Sequence, residues 1–107
     1  MAFKVLEMAI ALAGQLRGPL EAVRRRDRSL EDQVRRAASS VALNIAEGAG
    51  RVGKDRPHHY RVAAGSNLEV AAALRVAVAW GDLEAAEVQP ALELGRRVGA
   101  MLWRMTN

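Results

Sequence analysis

The sequence predicts an all-α protein, an antiparallel up-down four-helix bundle in a single domain spanning residues 1–107. Three observations predict it. Apolar residues recur at steps of three and four in four separate segments, which is the period of one helix face. The chain has 21 alanines but only eleven valines, two isoleucines and one threonine, so residues that favour helix outnumber β-branched ones. Glycine and proline cluster between the periodic segments, and short connections join antiparallel neighbours. The helices are expected at about 3–26, 30–49, 57–80 and 83–105.

In the first segment Phe3, Leu6, Ile10, Ala13, Leu16, Leu20 and Val23 step along one face. Gly18-Pro19 predicts a kink there, and the run Arg24 to Arg28 ends the element. Ser29 is expected to cap the second helix, with Asp32 at the capping-box position. Leu30, Val34, Ala37, Val41, Asn44 and Gly48 form the stripe of that helix. Gly50 to Arg56 breaks the pattern, and Pro57 suits the first turn of a third helix. That helix carries Tyr60, Ala64, Asn67, Ala71, Leu74 and Val78, and Gly81 is expected as its C′ residue. Asp82 is placed to cap the last helix, whose stripe is Leu94, Val98, Met101, Leu102 and Met105.

Charge is uneven. Residues 17–61 hold eleven basic and six acidic side chains, net +5. The remainder holds five basic and six acidic, net −1, which gives the total of +4. Acid-first pairs at i,i+4 (Glu21/Arg25, Glu31/Arg35, Asp32/Arg36 and Glu93/Arg97) fit ordinary solvated helix faces. They leave Arg24, Arg26 and Arg28 without a partner apart from Asp27. This excess makes Arg24, Arg25, Arg26, Arg28, Arg35 and Arg36 the candidate contacts to RNA or DNA. None of the four aromatics (Phe3, Tyr60, Trp80, Trp103) interleaves with them, so salt-sensitive, sequence-tolerant binding is expected rather than base stacking.

The stretch Asn44 to Asp55, NIAEGAGRVGKD, contains both G-x-x-x-x-G-K and G-x-G-x-x-G spacings. A phosphate loop needs a strand that delivers glycines to a helix N-terminus. Here a helical pattern precedes the glycines, and Asp55 stands where a serine or threonine would hold magnesium. The stretch reads as a helix end and turn. His58 and His59 are adjacent and lack Glu-x-x-His spacing, so no metal site or cofactor is expected. No histidine is spaced to activate a hydroxyl, so no catalytic residue is assigned and the protein is expected not to be an enzyme. With no cysteine, and no run of about 18 uninterrupted apolar residues, a cytoplasmic protein without a membrane segment is expected.

Asn44, Ile45, Ala46, Glu47, Gly48 and Arg51 resemble the strongest signature of the protein family encoded by intervening sequences of 23S rRNA genes. Gly65-Ser66-x-x-Glu69 resembles its second signature, and Gln33, Arg35, Arg36, Ala37 and Ser40 match as well. His58-His59-Tyr60 departs from the Phe-rich turn of other members. The resemblance implies a small bacterial four-helix bundle, a homopentamer. It also implies kinship with accessory proteins of the reverse transcriptases of diversity-generating retroelements, so a reverse transcriptase is an expected partner.

If the second and third helices are antiparallel, Asn44, Glu47, Gly48, Arg51, Ser66 and Glu69 come together as a polar network that fixes register. The alternatives are a ligand or metal site between the two carboxylates, or an oligomer contact. Val62, Val70, Val76 and Trp80 lie off the main stripe of the third helix, and Met101, Leu102, Trp103 and Met105 cover more than one face of the fourth. Both features point to self-association. The functional expectation is a non-enzymatic scaffold for nucleic acid or a nucleic-acid enzyme. Its rival is a protein-interaction module with no nucleic-acid role.

Overall fold

The computed structural model describes all of residues 1–107. It contains α1 (Ala2–Gln15), α2 (Arg17–Arg24), α3 (Arg28–Ala49), α4 (Asp55–Trp80) and α5 (Ala85–Thr106). The segments α1 and α2 are one bundle helix broken at Leu16. The break lies one turn before Pro19 because the proline ring clashes with the carbonyl four residues back and offers it no N–H. At the break the Leu16 N–H is shared between the carbonyls of Leu12 and Ala13, each at 3.2 Å. The whole is a four-helix bundle of 43 × 22 × 19 Å. Around its axis α1 lies between α3 and α5, and α4 lies opposite it between the same two helices. The segment α2 packs on α3.

The core divides into two clusters. One, at the end holding the α2–α3 and α4–α5 turns, contains Leu12, Leu16, Leu20, Val34, Leu74 and Val88. The other contains Val5, Val41, Ile45, Tyr60, Val98 and Leu102. Asn67 sits between them on α4, 6% exposed. It donates a hydrogen bond from Nδ2 to the Gly95 carbonyl at 2.9 Å. A Cβ added at Gly99 would stand 3.2 Å from this amide. The glycines of α5 therefore make room for a polar side chain at the waist of the bundle.

Several local expectations are corrected. The inward face of α1 is Val5, Ala9 and Leu12, while Phe3, Ile10 and Ala13 are exposed. Both stripes have helical period and both run into Leu16, Leu20 and Val23, and packing against α3 and α5 selects the one that is buried. Asp27, not Ser29, caps α3; its carboxylate accepts from the Leu30 N–H at 2.9 Å. Glu84, not Asp82, caps α5 in a capping box with Glu87. Gly81 does end α4 in the left-handed conformation, φ 82°. The N–H groups of Gly81 and Asp82 return to the carbonyls of Val78 and Ala77, the Schellman pattern.

By length and composition α4 is long and apolar enough to cross a membrane, and one third of its most apolar stretch is buried here. Glu69 and Arg75 interrupt the run, which is why no uninterrupted apolar stretch is found in the sequence. Val70 is in the core, whereas Val62, Leu68, Val76 and Trp80 are exposed.

Candidate nucleic-acid interface

The α3–α4 hairpin holds most of the marked polar residues. Its antiparallel register is fixed by contacts that step along both helices. Ser66 Oγ donates to Ser40 Oγ at 2.8 Å. Asn44 Nδ2 donates to the Ser40 carbonyl at 3.0 Å and to Ser40 Oγ at 3.1 Å. His59 Nδ1 lies 3.1 Å from Asn44 Oδ1. Gly48 faces Tyr60; a Cβ there would stand 2.7 Å from the tyrosine ring. The predicted network thus gains Ser40 and His59 and loses three members, Glu47, Arg51 and Glu69. Glu47 is exposed and pairs with Arg51 at 3.1 Å. Glu69 is exposed on the outer face of α4. The two carboxylates stay in water because neither has a buried cation to join it. Nothing brings them together as a metal or ligand pair.

The turn after α3 is closed by cations. Arg51 reaches Asp55 as well as Glu47, at 3.7 Å. Arg56 donates from Nε to the Arg51 carbonyl at 2.9 Å and from Nη2 to the Ala49 carbonyl at 3.4 Å. Carbonyls at a helix end lack intrahelical partners, and cations there also oppose the helix dipole. Gly53, φ 63°, completes the turn. The glycine-rich stretch is therefore a helix end, as its context predicts.

The candidate phosphate contacts lie at the opposite end of the bundle. Arg24 and Arg35 line a groove of about 370 Å³ between α2 and α3, with Arg17, Glu21 and Glu31. Its apolar floor is Ala13, Leu16, Leu20 and Ala38. Arg25, Arg26 and Arg28 are exposed at the adjoining turn. Arg36 stands on another face of α3, paired with Asp32 at 3.2 Å. Arg35 pairs with Glu31 at 3.4 Å.

Two expected pairs are absent. Glu21 does not pair with Arg25, and Glu93 pairs with Arg96 instead of Arg97. The five ion pairs are Glu31–Arg35, Asp32–Arg36, Glu47–Arg51, Asp55–Arg51 and Glu93–Arg96. Asp27 caps its helix, so Arg24, Arg25, Arg26 and Arg28 all remain without a carboxylate.

A second groove, of about 170 Å³, opens between α1 and α5. It is lined by Lys4, Arg96, Arg97 and Arg104 with Met8, Ala100 and Met101. Charge counting along the chain places no excess here, because Lys4 meets the α5 arginines only in the folded bundle. The i,i+7 spacing of Arg97 and Arg104, two turns apart on one face of α5, was a readable signal. Glu93 is held below the usual carboxylate range by the hydrogen bond from Arg96 and then by its charge. Both Glu93 oxygens accept from Arg96, at 3.2 and 2.8 Å, and Arg97 acts on Glu93 through its charge without an ion pair.

With this geometry in hand, comparison with known proteins places the chain. The family model described as 23S rRNA-intervening sequence protein matches residues 2–104. The chain belongs to that family. A solved structure from Bacteroides thetaiotaomicron, described as a protein of unknown function from the S23 ribosomal protein family, superposes with a TM-score of 0.87. It shares 12% identity, with 96% of this chain and 98% of that one covered. At that identity the likeness shows the bundle fold alone. No curated protein matches the chain. In this member of the family the signature Asn44 to Arg51 builds the α3–α4 hairpin. Asn44 and Ile45 face neighbouring helices, Gly48 admits Tyr60, and Glu47 and Arg51 brace the turn.

Proposed function

We propose that this protein is a non-enzymatic, homo-oligomeric scaffold that binds the phosphate backbone of RNA or DNA, serving a nucleic-acid enzyme such as a reverse transcriptase. The observation that carries this reading is the α2–α3 turn. Arg24, Arg25, Arg26 and Arg28 are exposed there and form no ion pair, and Arg24 also lines a groove with Arg17, Arg35, Glu21 and Glu31. Guanidinium groups stay protonated at neutral pH and match phosphate oxygens in fork geometry. They supply neither a base nor a nucleophile, which favours binding over catalysis. No aromatic side chain lines the groove, so the contact reads charge and shape rather than base identity.

Self-association is supported by the outer face of α4. Val62, Leu68, Val76 and Trp80 are exposed there, and Gly65 has open space beside it. A ring of five, as the family resemblance implies, would repeat the arginine surface and multiply its potential. Sedimentation of the purified protein tests this: Val76→Glu is expected to lower the assembly size, and a monomeric wild type overturns it.

Fluorescence anisotropy of labelled RNA and DNA, titrated with salt, tests the binding. Affinity is expected to fall steeply as salt rises, and replacing Arg24, Arg26 and Arg28 by Gln is expected to flatten the salt slope by about one per lost phosphate contact. Absence of binding at low salt overturns the reading and leaves the apolar α4 face, a protein-docking surface, as the functional one.

A further inference from the structure

The α1/α5 groove collects Lys4, Arg96, Arg97 and Arg104 from two helices, and no carboxylate lines it. Only Arg96 has an acidic partner, Glu93. Lys4, Arg97 and Arg104 belong to no ion pair, although Glu7 lies one turn from Lys4, outside the groove. The α2–α3 groove contrasts with it: its three arginines face Glu21 and Glu31, for a lining charge of +1. The lining charge of the α1/α5 groove is +4.

Clustered like charges destabilise a folded surface unless something offsets them. Helix dipoles do not, because α1 begins and α5 ends at this side of the bundle and their fields oppose each other. Met8, Ala100 and Met101 also line the groove, Met101 buried and Ala100 exposed. Guanidinium groups make charge-assisted hydrogen bonds to phosphate oxygens in fork geometry. Four cations with no carboxylate among them suit one or two phosphoryl groups.

We propose that the α1/α5 groove is a phosphate-binding site, distinct from the α2–α3 surface, in which Lys4, Arg97 and Arg104 hold the anion and Arg96 stands at its edge. The phosphate belongs either to a nucleic-acid strand or to a small polyphosphate. The site stands whether or not the α2–α3 surface binds nucleic acid.

Calorimetric titration of the full chain with inorganic tripolyphosphate, at fixed ionic strength, tests the site. Arg97→Gln/Arg104→Gln is compared with Lys54→Gln/Arg61→Gln, which removes the same charge from the exposed start of α4. All four side chains are exposed, so both variants are expected to fold, which thermal unfolding checks. The first variant is expected to weaken tripolyphosphate binding about tenfold or more, while the second leaves it nearly unchanged. Equal weakening by the two variants, or none in either, overturns the site.

Anisotropy with single-stranded RNA separates the two sources. If Arg97→Gln/Arg104→Gln weakens RNA and tripolyphosphate together, the phosphate is that of a strand. If only tripolyphosphate binding is lost, the site serves a small polyphosphate. Failure of the α2–α3 reading appears in the Arg24, Arg26 and Arg28 variants instead, and leaves this result untouched.

Discussion

The seams of α4 and the α1/α5 groove use polar side chains in opposite ways. Along α4, polar groups meet partners across the helix boundary: Ser66 with Ser40, His59 with Asn44, Asn67 with the Gly95 carbonyl. Along α1 and α5, Lys4, Arg97 and Arg104 line one groove and form no ion pair. The first arrangement sets register, because a shift of one residue would break every bond at once. The second fixes no register. Polar groups bonded across a seam therefore mark structure, even though Asn67 Oδ1 itself has no partner, and clustered like charges at a groove mark a site for something else.

Asn67 offers the strongest way to break the first half of that contrast. Asn67→Asp keeps the shape but replaces a donor by an anion facing the Gly95 carbonyl. An uncompensated charge at a buried position costs about 3 kcal/mol or more. Desolvation raises the carboxyl pKa in the folded state. The unfolded state then holds fewer protons than the folded one through the carboxylate range, so the penalty is largest at neutral pH and shrinks as pH falls. Protonation also restores a donor for the Gly95 carbonyl. Denaturant unfolding at pH 7 and pH 4 checks this; a loss independent of pH would mean that Asn67 acts through packing alone.

Two glycines sharpen the same comparison with smaller effects. Gly48 lies against the buried ring of Tyr60, and a Cβ would come within 2.7 Å of it. The ring has no room to yield, so Gly48→Ala is expected to destabilise by about 1–3 kcal/mol. Gly65 has nothing within 4 Å of its Cβ position. Gly65→Ala is expected to stabilise the isolated bundle by up to about 1 kcal/mol through helix propensity alone. Thermal unfolding of both variants decides it. Should Gly65→Ala instead lower stability and assembly size together, the open space belongs to a subunit interface.

The fold was legible because helical period survives small errors of phase. Four segments, their glycine and proline breaks, and the buried Leu30, Val34, Ala37, Val41 and Gly48 of α3 followed from spacing alone, whereas in α5 only Val98, Met101 and Leu102 did. The inward face of α1 did not, since Phe3-Leu6-Ile10 and Val5-Ala9-Leu12 are both periodic and only packing against α3 and α5 chooses between them. The hairpin network was half legible. Asn44 and Ser66 are small enough to bond at a close seam, whereas Glu47 and Glu69 keep their hydration by turning outward. The α3 cap lies two positions from the expected one because Asp27 and Ser29 are both good caps, and at α5 the capping box of Glu84 with Glu87 displaces Asp82. The α1/α5 groove was the least visible, because it unites Lys4 with Arg97 and Arg104, residues more than 90 positions apart in sequence.

The smallest expected effect tests how that groove is tuned. Glu93 holds Arg96 by a hydrogen bond and by charge, and its carboxyl lies below the ordinary 4.5. A carboxylate depressed in the folded state contributes its stability above the unfolded value and loses it as pH falls through the folded one. At neutral pH the pair is therefore intact and Arg96 is partly neutralised. Glu93→Gln makes the acid-side condition permanent: Arg96 becomes a fourth free cation. Both side chains are exposed, so the gain is modest, about two- to threefold tighter tripolyphosphate binding in the same calorimetric titration. Weaker binding would reverse the role of the carboxylate. Glu93 would then orient Arg96 toward the anion rather than compete with it, and the groove would resemble the seams of α4, where each polar group is held in place by another.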